Sequence, residues 1–169
     1  MFRELVLGAG NYPYKKIYNG SKEYTNPTRV DIEPDCKPDL LLDLNTNSLP
    51  FPDNSFDEIH MYEVLEHLGT QGDYKHFFAF FTEAARVLKP NGFFLGSVPA
   101  PGSPWVFGDP GHTRAIPPES FVFLDQDEYS EQVGKTPMTD YRSIYKANFK
   151  RAYLQEDKGV LFFILKNIK

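Results

Sequence analysis

The first residues able to do chemistry stand close to the start of the chain. Gly8 and Gly10 flank Ala9 directly after the short run Glu4-Leu5-Val6-Leu7. A missing Cβ lets a backbone turn close on a ligand and reach positive φ. Asp31 follows Gly10 by 21 positions. That is close to the spacing of about 20 at which a carboxylate on the next strand end accepts hydrogen bonds from both hydroxyls of a ribose. Asp43 ends the following apolar run and offers a second acceptor beside the same crevice. Gly-x-Gly alone is as readily an ordinary turn. Two aspartates at successive strand ends shift the reading towards a nucleoside site.

Groups that could move a proton come later. His112 lies in the Gly- and Pro-rich stretch Asp109-Pro110-Gly111-His112-Thr113-Arg114. An ordinary imidazole titrates near pH 6.5 and could take a proton from a hydroxyl or amine. A loop histidine bonded to backbone explains it equally well. Glu63 and His67 are four apart on an expected helix and would share a face, an arrangement more often structural than catalytic. No compact His-Glu-x-x-His spacing occurs, so no metal is expected. Cys36, beside Lys37, reads as incidental.

The elements that must hold these groups follow from periodicity and turn residues. Glu4–Leu7, Arg29–Ile32, Asp39–Asp43, Phe56–Tyr62 and Phe93–Val98 read as five strands, the third covered on both faces. Between the first two, Pro13, Asn19-Gly20 and Asn26-Pro27 leave room for loop rather than a long helix. Asp73–Leu88 reads as the clearest helix, with Phe77, Phe81, Ala84, Ala85 and Leu88 on one stripe and Lys89-Pro90-Asn91-Gly92 ending it. Pro118–Leu124 reads as a further helix. Phe149–Leu154 and Val160–Leu165 read as a closing hairpin. The long segment from Pro99 to Pro118 reads as a lid or substrate loop, and it carries Trp105, the one tryptophan of the chain. The fold class that results is α/β, an open, mostly parallel Rossmann-like sheet with a C-terminal antiparallel hairpin and a reduced first helix, in one domain over residues 1–169.

Composition narrows the partners. A formal net charge of −5 opposes the phosphate electrostatics of nucleic-acid binding. A single cysteine forms no internal disulfide, and no apolar run approaches the ~20 residues that span a bilayer. A reducing cytoplasm is the default setting.

Several blocks taken together resemble the class I S-adenosylmethionine-dependent methyltransferases, in particular the small type-11-like kind found in phage and bacteria. They are the glycine turn, Leu49-Pro50-Phe51-Pro52-Asp53-Asn54-Ser55-Phe56-Asp57, Val64-Leu65-Glu66-His67-Leu68 and Arg86-Val87-Leu88-Lys89-Pro90-Asn91-Gly92. The resemblance implies S-adenosylmethionine as cofactor and S-adenosylhomocysteine as product. It implies Gly8 and Gly10 at the methionine portion, Asp31 at the ribose, and Asp43 and Leu44 at the adenine. Tyr62 would lie near the methionine portion or the transferred methyl. Val6 departs from the family, which often has an acid there, and Asn11-Tyr12-Pro13 replaces the third glycine and the usual first helix. Asn11 becomes the candidate for the methionine amine.

The expected activity is methyl transfer to an O or N acceptor on a small molecule or glycan, with His112 and Glu63 as candidate catalytic groups. No Asn/Asp-Pro-Pro-aromatic block like that of enzymes methylating exocyclic base amines follows the fourth strand. Two rivals remain: a non-catalytic S-adenosylmethionine-binding protein, and a nucleotide-cofactor oxidoreductase. The second is disfavoured because Pro13 stands where Gly-x-Gly-x-x-Gly needs its last glycine.

Overall fold

The structure, a computed structural model, describes residues 1–169 apart from Asn19 and Asn47. Seven strands form one sheet: β1 (Glu4–Leu7), β2 (Pro27–Asp31), β3 (Leu40–Leu41), β4 (Phe56–Tyr62), β5 (Leu88–Pro99), β6 (Phe149–Asp157) and β7 (Val160–Asn167). Their spatial order is β3-β2-β1-β4-β5-β7-β6. The first five run parallel, and β7 inserts antiparallel between β5 and β6. Strand order reverses between β1 and β4, and in open α/β sheets the crevice at such a reversal is where ligands bind, outside the carboxyl ends. Gly8 therefore leaves β1 directly into that crevice.

On one face of the sheet Leu5, Leu7, Ile59, Met61 and Phe94 meet the helix α1 (Tyr74–Val87) in a continuous apolar core. Phe78, Phe80, Phe81, Ala84 and Ala85 of α1 are buried, and Phe77 packs against the same core in part. Asp73 caps the helix by accepting the His76 amide at 3.0 Å. No break separates helix from strand. β5 begins at Leu88, not at Phe93, because its first residues already pair with β4 through an irregular register, with Asn91 at φ 62° turning the chain.

The opposite face carries Glu4, Val6, Glu58, His60 and Tyr62, and no helix links β1 to β2 among the described residues. The linking loop covers this face, placing buried Lys15 against buried Glu4. The expected reduction of the first helix is thus realised as a charged loop.

Other expectations need correction. β3 is two residues long and lies at the sheet edge with Leu41 exposed, so it is not covered on both faces. Pro118–Leu124 is a 3-10 helix. Residues 99–118 contain a short helix, α2 (Trp105–Gly108). The helix α3 (Gln126–Gln132) leaves no signal in the sequence because Tyr129 is its one buried residue, with no apolar period to read. Asp125 makes it possible, accepting the amides of Asp127 and Glu128. The final hairpin turns through Lys158 and Gly159, both at positive φ as a two-residue hairpin turn prefers.

Candidate functional site

The turn after β1 is built around two glycines with different reasons. At Gly8 (φ 66°) a Cβ would stand 2.2 Å from Cγ2 of Val64, so the loop after β4 packs where a side chain would be. At Gly10 (φ 50°) a Cβ would meet nothing within 4 Å, which leaves the backbone facing open space. The Gly10 amide donates to Oδ2 of Asp31 at 2.7 Å, and Glu33 donates to Oδ1 at 2.9 Å. Arg29 holds the Gly10 carbonyl at 2.7 Å. Each Asp31 oxygen keeps a second acceptor position, enough for a vicinal diol.

Beside them Asp43 is exposed, and its Oδ1 accepts the Asn45 amide at 2.9 Å. Leu44 is buried under the same corner. Asn11 is exposed one residue beyond Gly10. The open backbone, the acceptor-only carboxylates and the apolar Leu44 suit an adenosine. Tyr62 stands at the end of β4, but its hydroxyl is engaged, donating to the Ile17 carbonyl at 3.1 Å and lying 2.9 Å from Nδ1 of His60. It pins the covering loop to the sheet.

Beyond the ends of β4 and β5 lies a cavity of about 290 Å³ lined by Glu63, Glu66, His67, Trp105, His112 and Lys158, among others. The sheet positions one wall of it. Ser97 on β5 donates to Oε1 of Glu63 at 2.6 Å. The tip of the final hairpin supplies another wall, tied in by the Ala100 amide to the Gly159 carbonyl at 2.9 Å.

Glu63 and His67 do not share a helix. Glu63 has φ 56°, and only Leu65–His67 turn, as a 3-10 helix. The turn instead directs Glu66, which sequence reasoning passed over, into the interior. Glu66 is 2% exposed and neither carboxylate oxygen has a hydrogen-bond partner among the described residues. Burial pushes its carboxyl up to about 8. His112 reaches the same place, with Nε2 3.9 Å from Oε1 of Glu66 and 4.0 Å from Oδ2 of Asp109. Its ring meets that of His67 edge-on at 4.6 Å.

A second cavity, about 340 Å³, opens between α1 and the 3-10 helix, away from the strand ends. Its one cation, Arg114, already donates to the carbonyls of Thr70 and Asp73.

Comparisons with known proteins bear on the fold and on part of the sequence. A family model described as a methyltransferase domain matches residues 21–96. A protein of Mycolicibacterium smegmatis called "Probable S-adenosylmethionine-dependent methyltransferase" is 38% identical over 77 residues, which are 43% of this chain and 27% of that one. The chain thus spans about a quarter of that relative's length. Among solved structures, a SAM-dependent methyltransferase from Archaeoglobus fulgidus superposes with a TM-score of 0.61 at 16% identity, over 98% of this chain and 86% of the other. The [4+2]-cyclase SpnF does so at 0.58 and 14%, over 99% and 74%. The sheet therefore hosts more than one chemistry, and the site must argue the reaction. In sequence through residues 21–96 and in fold throughout, the chain resembles the class I S-adenosylmethionine-dependent methyltransferases.

Proposed function

We propose that this protein binds S-adenosylmethionine and transfers its methyl group to an O or N acceptor of a small molecule or glycan. The observation that carries the reading is the 2.7 Å bond joining the Gly10 amide, in the turn after β1, to Asp31 at the end of β2, beside the point where strand order reverses. It fixes an open backbone turn against a carboxylate with acceptor positions to spare. Asp31 takes the ribose hydroxyls, Asp43 and Leu44 the adenine, and Gly8, Gly10 and Asn11 the methionine end. Tyr62 holds the covering loop beneath that end.

When bound, the sulfonium supplies an already activated methyl group. The protein's own work is then alignment and exclusion of water. The 290 Å³ cavity holds the acceptor; Glu63 lines it, and the next residue, Val64, packs on Gly8 of the cofactor turn. Glu63 and His112 both line it and are the groups that could receive the acceptor's proton. Residues 99–118 serve as the substrate loop of a single domain.

The test is a calorimetric titration of S-adenosylmethionine against NAD, followed by methyl release from labelled cofactor to hydroxyl and amine acceptors. Binding of S-adenosylmethionine alone, with transfer, is the expected result. NAD binding would turn the reading to an oxidoreductase, and binding without transfer to any acceptor would leave a non-catalytic binder.

A further inference from the structure

Among the described residues two clusters of histidine and carboxylate each gather around a buried glutamate, Glu4 in one and Glu66 in the other, and they differ in what faces that glutamate. Around Glu4, Glu58 and His60 the chain supplies its own cation: Lys15 Nζ lies 2.5 Å from Glu4 and 3.6 Å from Glu58. Around Glu66, His67 and His112 no lysine or arginine pairs with the carboxylate among the described residues. Burying such a group without a partner costs several kcal/mol, and native proteins rarely leave it so.

We propose that Glu66, His67 and His112 bind a divalent first-row transition cation, with Asp109 at the rim as a further donor. The donor atoms are preset. Nδ1 of His67 lies 3.0 Å from the Gly111 carbonyl. A carbonyl only accepts, so that nitrogen carries the proton and Nε2 keeps its lone pair for a ligand. Backbone carbonyls orient metal-binding histidines in this way. The strut is itself held, since the Gly111 amide donates to Oδ1 of Asp109 at 2.7 Å. Oδ2 of Asp109 remains near His112. His112 has a buried Nδ1 without a partner and presents Nε2 towards Glu66.

One donor atom from each of the three residues lies within 4.8 Å of the others. Donors at about 2.0–2.2 Å from a common ion stand roughly 3–3.5 Å apart, so closure of about an ångström completes the site. Two imidazoles and a carboxylate favour zinc, iron, cobalt or manganese over calcium or magnesium. Sequence spacing could not show this, because His112 comes from a loop far along the chain.

The consequence for chemistry rests on the proposed function. A cation in the acceptor cavity would bind the acceptor's oxygen or nitrogen and lower its pKa. His112 would then be a ligand, and the proton would pass to Glu63 or to solvent.

The experiment is a cobalt titration of chelator-stripped protein, read by visible absorption, with zinc affinity measured by competition. One equivalent of cobalt is expected. Affinity should fall by about tenfold or more in Glu66→Gln, His67→Ala and His112→Ala, each checked for folding by circular dichroism. On the unmutated protein, the cobalt form should show two paramagnetically shifted exchangeable imidazole N–H resonances. No cobalt uptake, equal uptake in all folded variants, or fewer than two shifted resonances would overturn the proposal. Neither cofactor nor acceptor is needed. Missing cobalt with intact S-adenosylmethionine binding removes the cation alone, while cobalt uptake without S-adenosylmethionine binding removes the methyltransferase reading.

Discussion

The two faces of β4 and its outgoing loop show the same residue types put to opposite uses. On the loop-covered face Glu4 accepts the amides of Thr25 and Asn26 at 2.6 and 3.0 Å and holds Lys15, while His60 bridges Glu58 and Tyr62 at 2.9 Å each. Nearly every polar atom there has a partner. Past the strand end, among the described residues, the Glu66 carboxyl has none, and the His112 ring has only carboxylates near 4 Å. A buried carboxylate that is satisfied secures the scaffold, and a buried carboxyl left without a partner is a place for something the chain does not contain.

This contrast predicts different costs for comparable substitutions. Lys15→Met leaves Glu4 buried without its cation and should destabilise the protein by about 3 kcal/mol at pH 7. Burial raises the Glu4 carboxyl, but the Lys15 ammonium and the two backbone amides outweigh it and hold it below its ordinary value. A depressed folded pKa gives stability that is present above the unfolded value and lost as pH falls through the folded one. The Lys15→Met penalty should therefore shrink in denaturation curves taken below about pH 4. A penalty independent of pH would mean that Lys15 acts by packing alone.

A smaller effect is expected at the glycine turn. Gly8→Ala sets a methyl group into Val64 and should cost roughly 1–3 kcal/mol in unfolding free energy. A further Val64→Ala change should restore part of it, and failure to do so would place the strain in the backbone.

Burial keeps the Glu66 carboxyl largely protonated near neutral pH, and among the described residues nothing bonds to it, so Glu66→Gln should change stability measured without added metal by less than about 1 kcal/mol or raise it. A loss as large as that of Lys15→Met would erase the distinction between the two clusters. The smallest signal should come from Trp105, 65% exposed at the cavity mouth, whose fluorescence should shift when that cavity fills. Unchanged emission with acceptor bound would separate residues 99–118 from the substrate site.

What the sequence revealed and what it hid divide along the same line. The strand, Gly8-Ala9-Gly10 turn and Asp31 are legible because each is set by local spacing, and the parallel sheet follows from apolar runs alternating with a long helix. Glu4 was hidden inside a run that reads as apolar, although it is fully buried. Glu63 reads as helical because a positive φ at a non-glycine residue leaves no mark in composition. Glu66, His67 and His112 read as unrelated, since only the folded loop from Asp109 to Arg114 brings them together. α3 leaves no mark because its sequence is almost wholly polar.

The central claim is that Asp31, tied to the Gly10 turn, holds the ribose of S-adenosylmethionine. Calorimetry on the folded protein and on Asp31→Ala tests it most directly. Micromolar binding that weakens by about 1–3 kcal/mol in the variant, through loss of charge-assisted hydrogen bonds, is the predicted result. Equal affinity in a folded Asp31→Ala protein would contradict it.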